Sequence, residues 1–141
     1  LLINMVLMTQ AFLNQIINHL QTCYPEEGCG LVAGDDAGRV TAVYPIENSL
    51  HSPTAFKMNP QQQIQAMLEL EANDWQLLAI YHSHPHGPET PSRTDIQQAT
   101  YPEALTLIVS LAEQTAPVLR LFHITGPTVT EKKIKVVQPS A

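Results

Sequence analysis

His82, His84 and Asp95 are three side chains able to bind a metal, set in the run Tyr81-His82-Ser83-His84-Pro85-His86-Gly87-Pro88-Glu89-Thr90-Pro91-Ser92-Arg93-Thr94-Asp95. The two histidines follow an apolar stretch, Leu77-Leu78-Ala79-Ile80. On a strand, residues i and i+2 point to one face, so both imidazoles aim at one point. Beyond them a loop punctuated by Pro and Gly delivers Asp95 into the first turn of an expected helix, from which a carboxylate swings back over that point. Two imidazoles and one carboxylate leave a fourth tetrahedral position for water, the arrangement of a catalytic zinc rather than a closed structural one. Such a metal acidifies bound water and polarises a carbonyl, but a carboxylate outside the ligand set must still carry the proton to the leaving amine. Glu26 and Glu27, in Tyr24-Pro25-Glu26-Glu27-Gly28-Cys29-Gly30, are adjacent candidates. Spacing alone does not choose them over Glu47 or Glu89.

The elements that must position these groups are legible from periodicity. Residues 3 to 8 read as a strand, and Phe12, Leu13, Ile16, Ile17 and Leu20 recur at helical spacing from about Thr9 to Thr22. Pro25 closes that helix. Cys29 to Ala33 and Arg39 to Tyr44 read as a hairpin turned through Gly34-Asp35-Asp36-Ala37-Gly38. Residues 46 to 58 look irregular, and Asn48, Ser49, Ser52 and Phe56 there are candidates for the wall of a cleft. Asn59-Pro60 is an N-cap and N1 signature, with Ile64, Met67 and Leu68 carrying a helix to about Asn73. A buried strand from Leu77 to His82 precedes the motif, and a short helix from Ser92 to about Ala99 follows it. Ala104 to Val109 reads as a central strand, and 118–125 with 129–137 as a last pair turned at Gly126-Pro127. Strands interrupted by about three helices, with hairpins among them, predict an α+β domain whose central sheet is mixed.

The chain has 141 residues, 44% hydrophobic and 14% charged, which suits a single domain over 1–141 with a real core. A net charge of −6 and seven Lys and Arg residues, scattered apart from Lys132, Lys133 and Lys135, offer no basic groove, so nucleic acid is not an expected partner. Cys23 and Cys29 suggest reduced intracellular thiols rather than a disulfide scaffold. The apolar start Leu1-Leu2-Ile3 is broken at Asn4, too short to span a membrane and without the basic flank of a signal peptide. A soluble, cytoplasmic protein is expected; an opening Leu suggests an incomplete or altered N-terminus. Oligomeric state is left open.

The run His82-Ser83-His84-Pro85, Ser92 eight positions after His84 and Asp95 three beyond Ser92 resemble the JAMM, or MPN-plus, metallopeptidase family, whose pattern is H-x-H-x7-S-x2-D. Glu27-Gly28-Cys29-Gly30 also matches the E-x-C-G element that carries this family's catalytic glutamate. The resemblance spans residues 24 to 95 by motif and most of the chain by element order. It implies a cytidine-deaminase-like JAMM/MPN fold in which His82, His84 and Asp95 bind Zn2+. It further implies that Glu27 holds and deprotonates the attacking water, and that Ser92 donates its hydroxyl to the oxyanion. The family cuts peptide or isopeptide bonds, commonly after the Gly-Gly tail of ubiquitin or a ubiquitin-like protein. This short chain is most similar to stand-alone bacterial members that act on ubiquitin-like sulfur carriers.

Plainer readings exist for each residue. Ser92 with Asp95 also forms a helix capping box, a role compatible with the catalytic one. A lone strand histidine is usually structural, Cys29 reads as a small packing residue, and Glu26 reads as solvated. His86 follows the ligand pair by two, where it would face solvent or substrate, and His19, His51 and His123 lack partners at informative spacing. Two rival functions compete with the peptidase. His82-x-His84-x4-Glu89 imitates the first metal box of a cupin-like protein, but Gln76 and Ile96 stand where that pattern wants glycine, and the cupin fold is an all-strand barrel. A non-catalytic scaffold module is the other, set against the intact ligand and base positions.

Overall fold

A computed structural model describes residues 3–139; Leu1 and Leu2, part of the apolar start noted above, lie outside the described residues. The strands are β1 (Met5–Thr9), β2 (Cys29–Gly34), β3 (Val40–Ile46), β4 (Gln76–His84), β5 (Leu105–Ser110), β6 (Val118–Thr125) and β7 (Thr128–Val137). The helices are α1 (Gln10–Cys23), α2 (Pro60–Ala72) and α3 (Arg93–Gln97). One sheet runs β1-β7-β6-β5-β4-β2-β3. Its β1–β7 and β4–β5 pairs are parallel and the rest antiparallel, so the expected mixed α+β arrangement is the one observed.

Helix α1 lies on one face. Thr9 caps it by accepting from the Phe12 amide at 3.4 Å, and Ile16 and Leu20 sink fully into a core shared with Val32, Leu78, Tyr81 and Leu107. Each such side chain contributes about 1.5–3 kcal/mol on burial. The other face carries α2 and α3: Ala66 packs with Cys29, Leu31 and Ile46, while Ile96 packs against Ile108, Phe122 and Ile124. The strand polarity of β4 alternates accordingly, sending Tyr81 to the α1 side and Ile80 and His82 to the α2 and α3 side.

Two boundaries and one buried face differ from expectation. β4 continues to His84, so both histidines stand on regular strand. α3 stops at Gln97 rather than near Ala99, where β-branched Thr100 and the approaching Pro102 disfavour another turn. In α2 the buried positions are Ala66 and Leu70, whereas Ile64 and Leu68 are exposed. The helix turns its small residue, Ala66, toward the sheet. No helix among the described residues is long and apolar enough to cross a membrane.

Candidate metal centre

The parallel β4–β5 pair places the two histidines at the carboxyl end of β4, where the chain leaves the sheet for α3. The ladder sets His82 opposite Ile108 on one side and opposite Cys29 on the other, so its imidazole emerges near the middle of the sheet. Ser92 starts α3 with a complete capping box: its hydroxyl accepts from the Asp95 amide at 3.0 Å, and Asp95 Oδ2 accepts from the Ser92 amide at 2.8 Å. That reciprocal pair fixes Asp95 before any ligand arrives.

His82, His84 and Asp95 come together as the spacing predicts, with one donor atom from each lying within 4.8 Å of the others. The two Nε2 atoms are 3.1 Å apart, His82 Nε2 is 3.2 Å from Asp95 Oδ1, and His84 Nε2 is 3.0 Å from Asp95 Oδ2. Both imidazoles are buried and Asp95 is partly so. His84 Nδ1 lies 2.8 Å from the Pro88 carbonyl, which only accepts, so the ring hydrogen sits on Nδ1 and Nε2 offers a lone pair. In the metal-free cluster only a proton can join that lone pair to the Asp95 carboxylate, which also only accepts. Converging electron pairs of this kind call for a cation, and two nitrogens with one oxygen suit a divalent one of the zinc type. His82 Nδ1 is buried without a hydrogen-bond partner, so its ring is held by packing: Phe56 stacks on it with centroids 4.7 Å apart and planes inclined by 28°.

Electrostatics within the cluster follow from burial and proximity. Burial holds His82 below the ordinary histidine value, partly offset by Asp95. For His84 burial pulls down, but Asp95 and the Pro88 carbonyl prevail and raise it. Burial also works against the Asp95 carboxylate, yet its bonds to His82 and His84 hold it well below the usual range.

Glu27 is the glutamate that the fold brings to this cluster. It is buried, 5% exposed, and desolvation pushes its carboxyl up to about 7, with His84 pulling it down and Asp95 pushing it up. The other candidates are elsewhere: Glu47 is near His51 and bonded to Asn59, and Glu89 lies 3.7 Å from Arg120. Glu26 meets His51 at 3.1 Å with its side chain 40% exposed, solvated as expected. Cys29 is fully buried and desolvation pushes its thiol up to about 12, which keeps it protonated and inert.

A cavity of about 260 Å³ opens beside the cluster, bounded by Phe56, Met58, Ile80, His82, Asp95 and Tyr101. Only the end of the 46–58 segment forms a wall: Phe56, Lys57 and Met58 line the cavity, whereas Asn48, Ser49 and Ser52 are not among its lining residues. Sequence reading missed the Pro88 carbonyl, whose role depends on the loop's path. It also left His19 without a partner, yet its Nδ1 lies 2.7 Å from the Tyr81 hydroxyl, joining α1 to the strand of the histidines. No local pattern announces a contact across so many residues. Gly30 follows the same logic: a Cβ there would come within 2.4 Å of the Tyr81 ring, so only glycine fits beside that aromatic.

This architecture and cluster define a JAMM/MPN-type domain. A JAB1/MPN domain protein from Archaeoglobus fulgidus superposes with a TM-score of 0.61 at 16% identity, covering 94% of this chain and 97% of that one. The chain belongs to the family of prokaryotic homologs of the JAB domain, whose model matches residues 9–124. A protein from Desulfitobacterium hafniense matches with a TM-score of 0.86 at 35% identity, covering 95% of this chain and 94% of the other. The CysO-cysteine peptidase of Mycobacterium tuberculosis is 33% identical over 126 residues, 89% of this chain and 86% of that protein. The cupin-like rival fails on architecture, because the seven strands form one mixed sheet flanked by helices, not an all-strand barrel.

Proposed function

We propose that residues 1–141 act as one zinc-dependent peptidase domain that hydrolyses an amide bond at the Gly-Gly tail of a ubiquitin-like or sulfur-carrier protein. The observation that carries this reading is the convergence of His82, His84 and Asp95 beside a buried glutamate whose carboxyl sits near neutrality. The resemblance to a peptidase named for a carrier–cysteine substrate supports the choice of substrate class.

Zinc held by His82, His84 and Asp95 would acidify water and polarise the scissile carbonyl. Glu27 takes a proton from the attacking water and hands it to the departing nitrogen, a task open to a buried carboxyl that senses His84 and Asp95. Ser92 uses one lone pair for the Asp95 amide, which leaves its hydroxyl hydrogen to donate to the oxyanion. Phe56 lines the cavity beside His82 and holds that ring by stacking. Incubating the zinc-loaded chain with sulfur-carrier proteins extended past Gly-Gly, by an amino acid or through a lysine side chain, tests this by mass. Release of the carrier ending in Gly-Gly is expected. Intact substrates at full zinc occupancy would overturn it.

A further inference from the structure

Glu27 lies outside β2, and both of its main-chain polar groups are taken by the 46–58 loop: its amide donates to the Ser52 carbonyl at 2.8 Å, and its carbonyl accepts from Asn48 Nδ2 at 2.9 Å. Asn48 does more than hold this peptide. The same Nδ2 donates to the Ala55 carbonyl at 3.0 Å, while Oδ1 accepts from the Leu50 and Lys57 amides at 3.1 Å each. All four hydrogen-bonding positions of the amide are therefore used, in a side chain only 6% exposed. Phe56, the residue stacked on His82, sits between two of the loop residues that Asn48 binds, Ala55 and Lys57.

We propose that Asn48 is a positioning residue for the reaction assigned above, its single amide holding Glu27 and the Phe56 wall in one frame. The inference rests on the reading of Glu27 as the base. A proton-transfer group must stay within hydrogen-bond reach of its partner, and a misplacement of about 1 Å is enough to cost on the order of a hundredfold in rate. Loops tend to wander, and a fully bonded buried amide removes that freedom. The residue must be an amide because two carbonyl oxygens need donors and two amides need an acceptor. Aspartate keeps the acceptor side, but it turns an oxygen toward the Glu27 and Ala55 carbonyls.

The test compares the wild-type chain with Asn48→Asp and Asn48→Ala by amide NMR, without metal or substrate, and then by kinetics after zinc loading. The Gly28 amide shares a peptide with the Glu27 carbonyl, and the Phe56 amide shares one with Ala55. Both are expected to shift together and to exchange about tenfold faster or more, with Leu107 and Leu121 in the sheet centre unmoved. In the zinc-loaded variants, kcat per bound zinc is expected to fall about tenfold to a hundredfold, more than KM rises. A shift confined to Phe56, or an unchanged kcat, would overturn the proposal. So would failure of both variants to fold, which would make Asn48 a folding determinant. If the wild-type chain cleaves no carrier, the assignment of Glu27 falls, while the paired NMR shifts still report whether Asn48 couples the two segments.

Discussion

Cys29 stands opposite His82 in the antiparallel β2–β4 ladder. Two residues before Cys29 and two after His82, Glu27 and His84 are thereby brought to the same face, and the carboxyl responds to both His84 and Asp95. Replacing the carboxylate with an amide keeps the shape and removes the base. Glu27→Gln is expected to retain zinc in elemental analysis and to lose about 10²–10⁴-fold in cleavage rate. An unchanged rate would move the base to another residue.

The raised carboxyl of Glu27 also has a stability consequence. Its folded value of about 7 lies above the ordinary 4.5, so between these the folded metal-free chain binds more protons than the unfolded one. Stability therefore falls as pH rises through that window. Glu27→Gln removes the effect, and above pH 7 the metal-free variant is expected to exceed the wild type by about 1–3 kcal/mol in denaturant unfolding, with the gap closing toward pH 4. A gap that widens on acidification would contradict the assigned sign.

Ser92 has two separable duties. Ser92→Ala is expected to lose about 1 kcal/mol of stability through the missing cap, and about 2.7–4 kcal/mol of transition-state stabilisation if the hydroxyl serves the oxyanion. Ser92→Asn restores a capping oxygen without the hydroxyl. Recovery of stability with activity still low is expected from parallel melting and kinetic measurements. Near-normal turnover in Ser92→Ala would leave Ser92 as a cap alone.

Sequence periodicity reached most of this fold because its elements obey local rules: Asn59-Pro60 starts α2, and the Ile16 and Leu20 spacing marks the face that α1 buries. The His82, His84 and Asp95 convergence was legible for the same reason, since a strand period and a capped turn fix it. What escaped depends on non-local pairing. Choosing Glu27 by geometry requires the β2–β4 register, and Asn48 looks like any loop polar residue until its four partners surround it. The buried stripe of α2 escaped because Ile64 and Ala66 compete for the sheet, and close approach favours the smaller side chain.

Calorimetric titration of zinc into the metal-free chain tests the central claim most directly. The expected result is tight binding of about one equivalent to the wild type, Glu27→Gln and Ser92→Ala, and its loss in His82→Ala, His84→Ala and Asp95→Ala, each removing one of the three donors of the tetrahedral set. Undiminished binding by those three variants, or none by the folded wild type, would contradict it.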